Sequence, residues 1–343
     1  MTASSTLAPD SAGAIPAPAR ARPLRGLVVL ALLAALALLA SLLVGPAGMS
    51  PGRALAALMG HGDPLAVSIM QTLRIPRGLS AFAVGNLLAL AGVLLQALFR
   101  NPLADPYVLG VTGGASVGAL AGMLAGAGLV ALQWYATAGG LLVGLAVLAL
   151  GRGGQTLRLL LAGAVLASAC GALVSVLLAV ADTGRLRGMV FWLAGDLGWS
   201  DHPFVDLGVA AAALAAALLF GRTLNVLAAG ELRSASVGLD VARARIGVFV
   251  ASSLLTACAV LSAGSVGFVG LVAPHLARLA LRTSDHRYVA PAAALAGGAL
   301  VCLADLASRM LAAPRQLPVG AVMALIGAPV FIVLLRRSAP PAD

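Results

Sequence analysis

The sequence predicts an all-α integral membrane protein with about ten transmembrane helices, and three observations carry that reading. Charged residues make up 10% of the 343-residue chain and apolar ones 61%, against about a quarter and about half in a soluble domain. Mean hydropathy is +1.03. The apolar residues run in long blocks of Ala, Leu, Val and Gly, without strict alternation. So little charge cannot cover a water-facing surface, and most of the exterior must face lipid. Only helices and closed barrels satisfy their backbone there, and barrel strands would alternate polar with apolar residues. The blocks therefore predict helices.

Residues 1–25 are rich in Ala, Pro and Ser and end in Arg20, Arg22 and Arg25, the composition of a disordered cytoplasmic tail. The run from Gly26 to Val44 is long enough to span a bilayer, which takes roughly 20 residues. It is read as a retained first span and not as a cleaved secretory signal. Further blocks run from Gly78 to Phe99, Val111 to Leu132, Trp134 to Leu150, Leu159 to Val180 and Phe204 to Phe220. Four more follow: Ile246 to Ala263, Val266 to Leu281, Tyr288 to Met310 and Leu317 to Leu335. The transmembrane domain is thus residues 26–337, followed by a short tail at 338–343.

All 22 basic residues are arginine. With both termini cytoplasmic, fifteen of them fall inside and seven outside, as the positive-inside rule expects. The outer set is Arg53, Arg74, Arg77, Arg185, Arg187, Arg309 and Arg315. This orientation makes residues 182–203 a periplasmic excursion and residues 222–245 a cytoplasmic one. The net charge of +10 does not point to nucleic acid, because the arginines stand singly or in pairs between apolar blocks. A P-loop needs a lysine on the phosphates, so a chain without lysine carries no such nucleotide site.

Chemistry within the spans is sparse. Cys170, Cys258 and Cys302 lie in apolar blocks without metal-ligand spacing and read as small hydrophobes. His275 has no second His or Cys at metal-ligand spacing and reads as structural. Gly264, Gly267 and Gly270 superficially resemble a phosphate loop, but spacing by three inside apolar sequence suits tight helix packing or a helix break. Asn86, Gln96 and Asp305 are the clearest polar residues in spans. An ion-coupled secondary transporter would need coordinating carboxylates near the midplane, and Asp305 alone does not supply them. No intramembrane catalytic motif is present, so no catalytic residue, metal ligand or cofactor site is expected.

The cytoplasmic excursion contains Gly230-Glu231-Leu232-Arg233-Ser234-Ala235-Ser236-Val237-Gly238-Leu239. Glu231 suits the positive start of a short helix and Gly238 its end. A short rigid helix between spans can dock in a partner's groove; an ordinary solvated loop helix is the other reading. At the outer side, Arg74 and Arg77 share one helical face, with Pro76 suited to a first turn. Interfacial anchoring explains them equally well, and Arg309, four residues after Asp305, suits an intrahelical pair. Asn101-Pro102-Leu103 closes the second span, where Asn caps and Pro breaks.

These segments together resemble the FecCD-type permeases, the membrane subunits of ATP-binding-cassette importers for ferric siderophores, haem and cobalamin. The resemblance runs from about Arg74 to Leu335. Its motifs are Arg74-Ile75-Pro76-Arg77, Gln96 to Pro106 followed by Leu109-Gly110-Val111, Gly230 to Leu239, Gly267 to His275, Leu317-Pro318-Val319-Gly320 and Ile326-Gly327-Ala328-Pro329. Val237 stands where that family usually has Leu. The resemblance implies a type II importer permease fold in a bacterial inner membrane, two copies around a central path, and no cofactor in this chain. It implies two partner ATPase subunits carrying ATP, docked on Gly230, Glu231, Arg233, Ser234, Ala235 and Gly238. It implies a substrate-binding protein meeting Arg74, Arg77 and Arg309, and an inner gate of Asn101 and Leu103 with the loop at Thr156 and Leu157, where apolar constrictions close by dewetting.

Overall fold

The structure, a computed structural model, describes residues 21–46, 48–151, 156–199 and 202–338. They form helices and connections, with no strand among the described residues. The α-helices are α1 (Ala21–Leu43), α2 (Pro51–Leu58), α3 (Pro64–Ile69), α4 (Ile75–Phe99) and α5 (Val111–Leu124). Next come α6 (Leu129–Leu150), α7 (Thr156–Ala179), α8 (Thr183–Leu193), α9 (Pro203–Leu219) and α10 (Gly221–Ala228). The chain continues through α11 (Glu231–Ser236), α12 (Val241–Ala263), α13 (Val269–Leu281), α14 (His286–Met310) and α15 (Val319–Ser338).

Among the described residues six helices are long and apolar enough to cross a membrane, and α9 with α10, bent by 63°, makes a seventh if the pair is one broken span. Three shorter apolar helices, α5, α13 and α15, complete the ten expected spans. The bundle is organised around α4. A π-helical turn over Met70–Arg74 joins α3 to α4 without a break, giving 36 continuous residues from Pro64 to Phe99. The apolar window of this helix is 94% buried, whereas that of α7 is 17% buried. Helix α4 is therefore the core, and α7 faces lipid or another chain.

Glycine permits this crowding. A β-carbon on Gly85 would lie 2.2 Å from the carbonyl oxygen of Gly297 in α14, and one on Gly92 would lie 2.1 Å from that of Gly270 in α13. Without side chains, the backbones meet directly and gain dispersion contacts where lipid offers no hydrophobic drive between helices.

The element boundaries depart from the expected blocks for local reasons. Residues 21–25, expected in the tail, already belong to α1; residues 1–20 and 339–343 lie outside the described residues. The third block ends early because Gly126 takes φ +74° after α5, and Gly128 starts α6 ahead of Trp134. The eighth starts late because Gly264 (φ +63°) and Phe268 (φ +67°) interrupt the chain between α12 and α13. Helices α2 and α3, of eight and six residues, are too short to register as blocks. Asp63 caps α3 by accepting the Leu65 N–H at 3.1 Å.

Candidate functional site

The structure places Arg74, Arg77 and Arg309 at one end of the bundle, where Arg77 and Arg309 pair with Asp305 and Arg74 holds the last carbonyls of α1. Asp305 has no exposure, and its Oδ1 accepts from Arg77 Nε at 2.8 Å. Arg309 Nε stands 3.0 Å from Asp305 Oδ2 as the i, i+4 ion pair, close without the alignment of a hydrogen bond. Arg309 also donates to Ser41 Oγ at 2.8 Å and to the Ser41 carbonyl at 3.1 Å. Arg74 donates to the carbonyls of Leu42 and Leu43 at 3.1 and 3.0 Å. Those carbonyls end α1, where the macrodipole favours a cation. Arg74 and Arg309 are each 5% exposed. Both therefore fasten α1 to α4 and α14. Arg77 lies nearer the surface, with Gln316 Oε1 3.4 Å away and Asp196 3.9 Å away. Arg53 and Arg315 are the more exposed cations near this end. Sequence reading placed them on the same side without giving them a docking role.

At the opposite end, the chain bends from α9 into α10, turns at Gly230 (φ +110°) and enters α11. Ser234 is fully buried, and its hydroxyl donates to the carbonyl of Gly230 at 2.7 Å or to that of Val226 at 2.8 Å. This serine pins α11 onto α10. Glu231 forms an ion pair with Arg245 of α12, linking α11 to a membrane helix. Gly238 (φ +81°) closes the helix with a Schellman pattern: its N–H reaches Ala235 O at 2.9 Å, and the Leu239 N–H reaches Ser234 O at 3.0 Å. The face left outward carries Leu232, 90% exposed, and Val237, 72% exposed. In the sequence Val237 stands out only as a replacement for the family's usual Leu and Leu232 not at all, since an apolar residue in a short helix carries no sign of facing outward.

A polar network fixes this segment from behind. Asn225 of α10 donates to Asp285 Oδ1 at 2.8 Å and accepts the His286 N–H at 2.8 Å. Arg287 Nη2 donates to Asp285 Oδ2 at 2.6 Å. The Arg287 hydrogen bonds hold the Asp285 carboxyl well below the usual carboxylate range, with Asn225 adding to them against partial burial.

The sequence pattern of the FecCD transport family matches residues 32–337. The chain belongs to the FecCD transport family. It is 40% identical over 326 residues to the vitamin B12 import system permease protein BtuC of Salmonella schwarzengrund, covering 93% of this chain and 97% of that one. BtuC of Salmonella typhimurium LT2 matches equally. A metal-chelate type ABC transporter solved in an inward-facing conformation superposes with a TM-score of 0.80 at 31% identity, over 92% of this chain and 99% of that one. The PsaBC structure from Streptococcus pneumoniae shares the fold, with a TM-score of 0.55 at 16% identity over 78% and 94% of the chains. The FecCD-family chain is thus the permease of an ATP-binding-cassette importer.

The expected gate of this FecCD permease lies near the α11 end. Arg100 ends α4 in the left-handed region at φ +51°, and Asn101 Oδ1 accepts the Leu103 N–H at 2.9 Å. Leu103 is 45% and Leu157 63% exposed. Thr156 begins α7; its side chain and residues 152–155 lie outside the described residues.

Proposed function

We propose that this permease passes a cobalamin-type metal chelate into the cytoplasm, driven by a separate ATPase. The observation that carries the reading is the 40% identity to vitamin B12 permeases across nearly the whole of both chains. Both termini are cytoplasmic in this reading, the Arg77 end faces outward, and two copies enclose the path. The weakly buried α7 supplies a face for the second copy.

The ATPase docks on α11. Leu232 and Val237 fill its groove, beside Glu231, Arg233 and Ala235, while Ser234 and Gly238 shape the helix. The ion pair of Glu231 with Arg245 carries displacement of α11 into α12. At the outer end, Arg77 with the exposed Arg53 and Arg315 meets acidic groups of a binding protein, and the buried Arg74 and Arg309 hold that surface in place. Asn101, Leu103, Thr156 and Leu157 narrow the inner exit.

The test is cyanocobalamin uptake by proteoliposomes holding the permease, its ATPase, ATP and the binding protein. ATP-dependent uptake that fails in Leu232→Asp, with loss of the copurifying ATPase, is the expected result. Uptake that continues without any ATPase and collapses with the ion gradient would sink the reading.

A further inference from the structure

Two interruptions of regular helix meet inside the bundle. One is the break between α12 and α13, from Gly264 to Phe268. The other is the α4–α5 connection, where a 3-10 turn over Pro106–Leu109 follows Asp105. They touch at the first turn of α13: a β-carbon on Gly270 would lie 2.9 Å from Pro106 Cδ and 3.2 Å from Asp105 Oδ2. Irregular backbone at membrane depth persists only where protein buries it or where it lines a watery cavity. A cavity of about 410 Å³ lies here, lined by Asp105, Tyr107, Ser265, Phe268 and Ala321 among others.

Asp105 is 5% exposed. Its Oδ1 accepts the Tyr107 N–H at 2.7 Å and so holds the turn. Its Oδ2 is buried without a hydrogen-bond partner, and the residue lines the cavity. An unmet buried acceptor is costly, and the cost is relieved when a donor arrives. The remaining walls are mostly apolar and include Tyr107, a residue 40% exposed. An aromatic wall beside a lone carboxylate oxygen suits a nitrogen donor, which takes the hydrogen bond while its carbon frame rests on the apolar surface.

We propose that Asp105, with Tyr107 and Phe268, forms a subsite that takes an N–H-bearing group, ammonium or amide, of the passing cargo. Asp105 follows Leu103 of the expected inner gate by two residues, and the subsite's transport role rests on the proposed function. The competing role is purely structural, with Oδ2 facing the positive first turn of α13.

The experiment reads the site without cargo and then with it. Ala321→Cys is made with Cys170, Cys258 and Cys302 replaced by Ala, and the complete transporter is reconstituted. The introduced thiol is treated with ethylammonium or ethylsulfonate methanethiosulfonate. Relative to a free thiol, the ammonium reagent is expected to react about tenfold faster, as focused charge raises encounter rates. Asp105→Asn keeps the acceptor for Tyr107 and replaces Oδ2 with a donor, so it should remove this preference. A ratio near one with Asp105 intact, or no reaction with either reagent, overturns the proposal even if the Asn variant fails to fold. In the second arm, Asp105→Asn should cut ATP-driven cyanocobalamin uptake on the order of tenfold, the effect of one hydrogen bond to a charged group. Unchanged uptake overturns the cargo role. If the unsubstituted complex shows no ATP-driven uptake, the cobalamin reading fails by itself, because the reagent ratio still reports the site.

Discussion

Replacing Asp305 with alanine tests the buried ion pairs at the Arg77 end of the bundle. The carboxylate has no solvent exposure and stands 2.8 Å from Arg77 Nε and 3.0 Å from Arg309 Nε. Arg309 continues to Ser41 of α1, so one side chain ties α4, α14 and α1 together. Removing one member of a buried ion pair costs about 3–5 kcal/mol, because the remaining charge stays buried without compensation. Arg77, with 15% side-chain exposure, can turn toward Asp196, 3.9 Å away. Arg309, with 6% side-chain exposure, has no comparable escape. The loss is therefore expected within that range, from the Arg309 side. Reversible unfolding in mixed micelles by added dodecyl sulfate, followed by circular dichroism, measures it. Asp305→Leu combined with Arg309→Met should recover most of the stability, since apolar replacement of a whole buried pair is often neutral or stabilising. A loss below about 1 kcal/mol for Asp305→Ala would mean that the pair behaves as an exposed one and does not hold α1.

Gly85→Val places atoms where the Gly297 carbonyl already stands, and should cost at least about 1–3 kcal/mol or prevent folding, read by size-exclusion of the solubilised protein. Glu231→Arg should lower cyanocobalamin transported per ATP hydrolysed by about tenfold, and pairing it with Arg245→Glu should restore coupling if the ion pair carries the motion. For Asp285 the folded carboxyl titrates below its unfolded value near 3.9. Its stabilisation is complete above that value and is lost as pH falls through the folded pKa. Asp285→Asn should accordingly be less stable than the parent at pH 5 to 7, with the gap closing below about pH 4 in acid-unfolding curves.

The membrane class and the ten apolar segments were legible because a bilayer demands long apolar blocks, which composition and length reveal. Helix ends were less so. The continuation of α4 back to Pro64 depends on a π-helical turn at Met70–Arg74, and no block length announces that. Gly238 was readable as a helix end because only a left-handed residue closes the turn cheaply. Which side chains face outward was not readable. Arg74 and Arg309 carry the same charge as Arg77, yet α1 covers them, and that packing joins segments far apart in sequence. Ser234 looked like a contact residue among small residues and is instead the pin between α10 and α11. Asp105 was legible only as part of a motif, because its unmet oxygen follows from the approach of Gly270.

The two glycine crossings on α4 also limit how the machine can move. Side chains that interdigitate can ratchet past one another by changing rotamer, but backbone pressed on backbone at Gly85 and Gly92 has no such freedom. Helices α4, α13 and α14 are therefore expected to travel as one block. Motion during a transport cycle is expected instead at irregular joints such as the one around Gly264, between α12 and α13. In mechanical terms the chain is a stator with hinged panels, and a locking cross-link should stop it at the joints and leave it running at the core.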